Sequence, residues 1–376
     1  MKIIYISKSI IPSRAANSIH VMKMCQAFAD NGHKVVLLAP DLKNYYESNV
    51  DDIYEYYGVK KNFKIKKLFH PNIRFGAFLY VLAIFFYLIT SKRFDLAYGR
   101  FLHGIYIASL LNYKVIYESH APIFARKDHR LFFFKKLIKS RNFKKLVVIS
   151  QVLKNMYLDK GYLSHPNIQV AHDGADVVEN FNSKNNLLGL KNNLKVGYVG
   201  HLYKGKGMEV ILSLANKLDD DVEIHIIGGL EEDIKLWKNK ISSKNIFFYG
   251  FIPHKQVGDY INALDVCLLP NQKIILAHGS NPSNISLNIS TFTSPLKLFE
   301  YMSHKKPIIA SDFPVIREVL NEKNSILVKY NDIDLWLSSI KQLKNSKFRN
   351  TISNQVLSDF NKFTWKNRVL ELLDDI

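Results

Sequence analysis

Residues 294–318 decide the fold. They read Ser-Pro-Leu-Lys-Leu-Phe-Glu-Tyr-Met over Ser294–Met302, Pro-Ile-Ile-Ala-Ser-Asp over Pro307–Asp312, and Pro-Val-Ile-Arg-Glu over Pro314–Glu318. The pattern is helix, turn, buried strand, loop and helix start, the rhythm of an α/β unit. Ser294 is a good N-cap, and Pro295 suits the first helical position, where its missing N–H has no partner in any case. The first-turn amides are then free to face a ligand, and the helix dipole favours an anion there. Lys297 adds a formal charge, and Glu300 follows on the same helix. A phosphate site with a carboxylate nearby for hydroxyls is what a nucleotide sugar needs. The same residues also suit a plain capped amphipathic helix, so the surrounding chain has to decide.

Working outward, the rest of the second half repeats the rhythm. Leu194–Val199, Val222–Ile227, Ile246–Tyr249, Val266–Leu269 and Pro307–Ala310 read as strands, and Gly207–Leu218 and Val257–Ala263 as helices. Between the first strand and its helix lies Gly200–Gly207, Gly-His-Leu-Tyr-Lys-Gly-Lys-Gly. Glycines let a backbone approach phosphate closely, and Lys204 and Lys206 can neutralise it. It is not a Walker loop, since the Gly-Lys-Ser/Thr ending is absent. Its weight comes from pairing with Ser294–Glu300: two anion sites at neighbouring strand ends suit one diphosphate. Gly228-Gly229 ends another strand and can line the same crevice or form an ordinary turn. Tyr249-Gly250-Phe251-Ile252-Pro253 can hold a nucleobase or be a tight turn. Residues 271–293 are rich in Asn and Ser, a long loop of the kind that serves function or motion. Its sequons at Asn284 and Asn288 carry little meaning without a secretory signal.

The first half carries strands at Lys2–Ser7, Val35–Ala39, Leu96–Tyr98, Val115–Glu118 and Leu146–Ile149, with a helix from Ser18 to Asp30 stopped by Asn31-Gly32. His120 follows a strand and faces the crevice by position. The loop 7–17 contains Lys8, Ser9, Arg14 and Asn17, which can meet an acceptor or merely connect. Residues 180–193 are polar and read as a linker. The expectation is therefore two doubly wound domains in series, 1–180 and 194–355, with ligand crevices at the carboxyl ends of their strands.

Hydrophobic residues make up 47% of the 376, enough for two full cores, so a disordered chain is excluded. Cys25 and Cys267 fall in different halves, which argues against a disulfide and fits a reducing cytoplasm. The N-terminus is a strand pattern without a signal-peptide core. The net charge is +19, and it is uneven: 27 Lys/Arg against 13 Asp/Glu in residues 1–180, and 25 against 20 in the remainder. That asymmetry, which a lysine-rich proteome alone does not explain, points to an anionic partner of the first half: a membrane surface, a phosphorylated substrate or, less readily since no recognition motif is present, a nucleic acid. Phe75–Thr90 is uncharged and apolar, too short for a spanning helix of roughly twenty residues. It reads as a buried helix first and a membrane-dipping one second. Arg126–Lys145 interleaves nine basic residues with Leu131, Phe132, Phe133 and Phe134, and can lie flat on an anionic membrane or pack its aromatics inward. Metal-ligand spacing and a Gly-x-Ser-x-Gly elbow are both missing.

In order and position these blocks resemble the family 4 glycosyltransferases, retaining enzymes of GT-B fold. The matching landmarks are the first strand and loop, Glu118–His120, Val148–Ser150, His172–Asp176, Gly200–Gly207, Tyr249–Phe251, Asp265–Pro270 and Ser294–Ser311. The resemblance implies two doubly wound Rossmann-like domains facing a central cleft, and the terminal Phe363-Thr-Trp365 looks like part of the helix, about 356–376, that crosses back to the first domain in this fold. The resemblance implies a metal-independent transferase of polysaccharide synthesis with no cofactor. Its co-substrate would be a nucleotide-diphosphate sugar, a UDP-sugar ahead of a GDP-sugar. The acceptor would be a glycan or lipid-linked chain, and the enzyme would be cytoplasmic and peripheral on the inner membrane face. It further implies that Lys206 and the backbone of Ser294, Pro295, Leu296 and Lys297 bind the diphosphate. Gly200, His201, Lys204 and Gly228 would complete the donor loop, and Glu300 would hold the ribose hydroxyls. Phe251 and Ile252 would meet the base, His120 the transferred sugar, and Ser9, Arg14 and Asn17 the acceptor. The chain departs from the family at two places. His201 stands where Arg is common, and Phe292 where a first glutamate usually precedes Glu300. A sugar-nucleotide epimerase of similar fold, or a binding module that has lost catalysis, are the alternatives.

Overall fold

Runs of Ile, Val and Leu bounded by polar turns become strands buried on both faces, as parallel sheets require. In the computed structural model, which describes residues 1–125, 129–182, 187–275 and 288–376, they assemble into two sheets. The chain divides into one unit of Met1–Asp173 with Trp365–Ile376, and a second of Gly174–Thr364.

The first unit holds β1 (Lys2–Ile6), β2 (Lys34–Asp41), β3 (Lys64–Phe69), β4 (Leu96–Gly99), β5 (Lys114–Ser119), β6 (Phe143–Val148) and β7 (Ile168–Val170), ordered β3-β2-β1-β4-β5-β6-β7. Ile3–Ile6 of β1 pair in parallel with Val35–Leu38 on one side and Leu96–Gly99 on the other. The strand order reverses between β1 and β4, which puts a ligand crevice at the carboxyl ends of these strands. Helix Ala16–Asp30 packs against the terminal helix Trp365–Leu373. Helices Gly76–Thr90, Leu102–Leu110 and Arg130–Ile138 pack one against the next.

The second unit holds β8 (Leu194–Val199), β9 (Val222–Ile227), β10 (Ile246–Gly250), β11 (Val266–Leu269), β12 (Ile308–Ser311) and β13 (Ile326–Val328), ordered β10-β9-β8-β11-β12-β13. All pairs are parallel, and the reversal falls between β8 and β11. Helix Met208–Ala215 follows β8, and helix Leu296–Ser303 leads into β12.

Several sequence expectations are corrected. The Ala16–Asp30 helix begins before Ser18, whose hydroxyl donates to the carbonyl of Ala15 instead of capping from outside. Asn17 therefore lies in the helix's first turn. The Asn-rich stretch is no free linker over its described residues 187–193. Glu223 lies buried on β9, and its carboxylate accepts from the Leu190 amide at 2.6 Å and from Asn193 Nδ2 at 3.0 Å. A buried carboxylate left without donors costs several kcal/mol, roughly, which holds this segment in place. The basic run is not one helix: it splits into helix Arg130–Ile138 and strand β6, with Lys145 buried and paired to Asp375, while residues 126–128 lie outside the described set. The return to the first unit begins at Trp365; helix Ser346–Phe360 stays with the second. Finally, helix Gly76–Thr90 is far from fully buried, with only Gly76, Tyr80, Ile84 and Leu88 inside.

Candidate functional site

The glycine loop after β8 takes the shape its sequence demands. Gly200, Gly205 and Gly207 have φ of 130°, 91° and 89°, a region closed to most side chains. At Gly207 a Cβ would come within 2.1 Å of the Pro270 carbonyl, so β8 and β11 can bring their following loops this close only around glycine. Gly228, after β9, is similarly tight, since its Cβ would meet the Gly200 carbonyl at 2.6 Å. The Gly228 amide donates to the Gly250 carbonyl, so three strand-end loops are joined at one edge of the sheet.

Helix Leu296–Ser303 begins one residue later than expected, with Pro295 extended at its cap and no side-chain capping bond. Its second residue, Lys297, turns its ammonium toward the glycine loop. Nζ lies 3.7 Å from the centre of the Tyr198 ring, and a Cβ on Gly200 would stand 2.8 Å from it. This Nζ is cut off from solvent and has no hydrogen-bond partner among the described residues. Burial pushes its pKa well below that of an ordinary lysine, the charge of Lys206 adds to the drop, and Glu300 opposes it. Lys206 is half-buried over the Tyr203 ring, and burial lowers its pKa to about 8. Two desolvated cations thus bear on one place beside the start of a helix, an arrangement that an anion stabilises.

Glu300 lies on the same helix, and its Oε1 is 2.8 Å from Nε2 of His254, the first residue of helix His254–Asn262. The sequence reading did not foresee this partner, which follows directly from the Phe251–Pro253 turn. Phe251 and Ile252 are half-buried, as is His201, whose carbonyl accepts from the Tyr198 hydroxyl at 2.6 Å. Lys204 is exposed. Phe292 is buried in the segment that approaches the helix. Of the long loop, residues 276–287, with the Asn284 sequon, lie outside the described set. Asn288 binds the backbone of Lys273 and Ile275.

In the first unit, His120 stands at the carboxyl end of β5 at the edge of a buried network. Its Nε2 lies 2.7 Å from Glu118 Oε1, and the same oxygen meets Arg368 at 2.8 Å and His20 Nε2 at 3.0 Å. Tyr98 donates its hydroxyl to the other carboxylate oxygen, and His20 Nδ1 is 2.9 Å from Asp173. Burial alone would raise the Glu118 pKa, but Arg368, His20 and His120 more than offset it and hold the carboxyl well below its ordinary value. Burial and the nearby Arg100 lower the His120 pKa to about 4 despite Glu118, so the imidazole is neutral at pH 7. A neutral ring facing an ionised carboxylate through Nε2 carries its proton there, which leaves Nδ1 as an acceptor.

His20, Arg100 and Arg368 were missed from the sequence because they are scattered along it, and Asp173 was read only as part of the His172–Asp176 landmark. His20, His120 and Asp173 have ligand-type atoms within 4.8 Å of one another, a grouping no local spacing reveals. The His20–Asp173 and His120–Glu118 hydrogen bonds, the edge-to-face contact of the two imidazoles and the adjacent Arg368 charge account for it. Arg100, just after β4, has a buried Nη1 without a hydrogen-bond partner among the described residues. Of the residues expected to meet an acceptor, Ser9 is buried, Arg14 pairs with Glu47 at 2.5 Å, and Asn17 is exposed on its helix.

Residues 18–179 match the family model described as Glycosyltransferase Family 4, and residues 193–346 match that described as Glycosyl transferases group 1. An uncharacterised glycosyltransferase of Methanocaldococcus jannaschii is 25% identical, covering 99% of this chain and 97% of its own. Among solved structures, sucrose-phosphate synthase of Thermosynechococcus elongatus aligns with a TM-score of 0.73 at 17% identity, covering 99% of this chain and 97% of that one. Anabaena HepE in complex with UDP and glucose also gives 0.73, at 15% identity and full coverage of both chains.

Proposed function

The chain is a family 4 glycosyltransferase of GT-B fold, and on that premise we propose that it is a retaining, metal-independent enzyme that moves a sugar from a UDP-sugar to a glycan or lipid-linked acceptor in polysaccharide synthesis. A GDP-sugar is the second choice of donor. UDP comes first because HepE, alike in fold, is described with UDP and glucose.

One observation carries the donor site: the Lys297 ammonium, cut off from solvent over the Tyr198 ring and without a hydrogen-bond partner among the described residues, beside Lys206 and the glycine loop. A diphosphate laid across the amides at the start of helix Leu296–Ser303 supplies the missing counter-charge. In the transfer, the bond from the sugar's anomeric carbon to the phosphate oxygen breaks and a bond to the acceptor oxygen forms. Charge grows on the departing phosphate, where Lys206, Lys297 and the amides stabilise it most. That phosphate oxygen takes the acceptor's proton, so no protein base is needed. Glu300, braced by His254, receives the ribose hydroxyls. His120 offers Nδ1 to a hydroxyl of the transferred sugar. Phe292 supplies no carboxylate to the sugar.

The test is release of nucleoside diphosphate with product detection. Lys206→Ala and Lys297→Ala are expected to lower kcat/KM by about 10²–10³ while the circular dichroism spectrum is kept. Glu300→Ala is expected to weaken donor use more than acceptor use. Near-normal turnover in the folded lysine variants would sink the donor assignment. Acceptor-independent isomerisation of the nucleotide sugar would replace transfer with epimerisation.

A further inference from the structure

We propose that helix Gly76–Thr90 and the loop before it form a face that docks in the plane of an anionic lipid membrane. The helix has 15 residues and no charged side chain. It buries one residue per turn, Gly76, Tyr80, Ile84 and Leu88, and Tyr80 anchors it by donating its hydroxyl to the Ser7 carbonyl at 2.6 Å. The rest of the helix surface is just as apolar and faces outward. Phe78 is 61% exposed, Phe86 58% and Ile89 51%, with Leu82 and Phe85 half-buried between them. The entry to the helix adds Phe69, Ile73 and Phe75, the last 67% exposed. Monomeric proteins rarely leave an apolar surface this continuous without a use for it.

The surroundings of this surface select the occupant. Lys64 and Lys66 are exposed on β3, on which the helix packs; Arg74 is exposed in the loop, and Lys92 and Arg93 follow the helix end. The same helical layer continues through Leu102–Leu110 to Arg130–Ile138, where Phe132 is exposed beside Lys135, Lys136 and Lys139. Aromatics set among cations of one sign complement acidic headgroups over an acyl layer. A second copy of the chain would instead bring like charges face to face. At about 1.5 Å per residue the helix is roughly 22 Å long, short of the ~30 Å hydrocarbon core. No described helix is long and apolar enough to cross a membrane, so this one lies flat. Phe69 and Phe75 sit at the carboxyl end of the first sheet, the end that carries His120. Docking therefore sets that end at the surface where a lipid-linked acceptor presents its sugar. Only this purpose rests on the proposed acceptor; the docking itself does not.

Vesicle flotation of the full chain, without donor or acceptor, tests the proposal independently of catalysis. The protein is expected to float with phosphatidylcholine vesicles containing phosphatidylglycerol and to stay behind with phosphatidylcholine alone. Phe78→Asp combined with Phe86→Asp should reduce the bound fraction by about tenfold or more, with melting and UDP-induced stabilisation unchanged. Lys135→Ala and Lys136→Ala should each weaken binding by about fivefold. Equal flotation of the double aspartate variant, or no flotation of the unmodified chain with either vesicle, overturns the proposal. So does a dimer in light scattering that the double variant converts to monomer, because it gives the face to a second copy.

Discussion

Lys206 has the environment most readily read by titration. Burial lowers its pKa to about 8 from 10.5 in the unfolded chain. Between those values the unfolded chain holds the extra proton, so stability rises with pH there. The cost of burying the charge is complete below pH 8 and relieved as pH climbs above it. Anion binding runs the other way. A diphosphate in the proposed donor site would stabilise the charged lysine and draw a proton onto it, so affinity would fall as pH rises through 8. UDP should bind about tenfold more weakly at pH 9 than at pH 7. Calorimetry in buffers of different ionisation heat should show net proton uptake near pH 8–9. A dissociation constant that stays flat across this range, with no uptake, removes Lys206 from the phosphate site.

Among the elements, helix Trp365–Leu373 does most for its size. It delivers Arg368 into the first unit, where the guanidinium meets Glu118 Oε1 and the carbonyls of His172 and Ala171. Cutting Arg368 back to methionine leaves a buried carboxylate without its main counter-charge, a change that costs about 3–5 kcal/mol. Arg368→Met should therefore lose that much in urea denaturation at pH 7, and adding Glu118→Gln should recover a large part. A single variant as stable as the parent would contradict the pairing. The Glu118 contribution is present above the ordinary carboxyl range and lost as pH falls through the lower folded value. None of this could be read from local sequence, since Arg368 and Glu118 are 250 positions apart and only the closed fold brings them together. What could be read was local in origin. The Gly200–Gly207 loop and the Ser294–Ser311 block declare strand ends and helix starts through turn chemistry alone. Strand β3 stayed hidden because Lys-Ile-Lys-Lys is an edge pattern, half-exposed and too charged to look buried. The helix Gly76–Thr90 misled in the opposite way. Hydrophobicity specifies that a face avoids water, and does not say whether protein or lipid covers it.

Across the whole molecule, chain order and architecture part company. The second unit is one continuous stretch, Gly174–Thr364, and contains Lys206, Lys297, Glu300 and His254. The first unit needs two stretches, Met1–Asp173 and Trp365–Ile376. Trp365, Val369 and Leu372 are buried in it, each worth roughly 1.5–3 kcal/mol. Together with the stranded Glu118, their loss approaches the whole stability of a domain, about 5–15 kcal/mol. The two pieces should therefore behave differently when expressed apart. The fragment Gly174–Thr364 should melt cooperatively and be stabilised by UDP, since the residues proposed to hold the diphosphate, Lys206, Lys297 and the first turn of helix Leu296–Ser303, are all internal to it. The fragment Met1–Asp173 should show no cooperative melt until residues 365–376 are fused to its end or added as a peptide. Differential scanning calorimetry of both fragments decides the matter. A cooperative melt of Met1–Asp173 alone would show that the returning helix is an accessory. A folded Gly174–Thr364 that ignores UDP would move part of the donor site into the first unit.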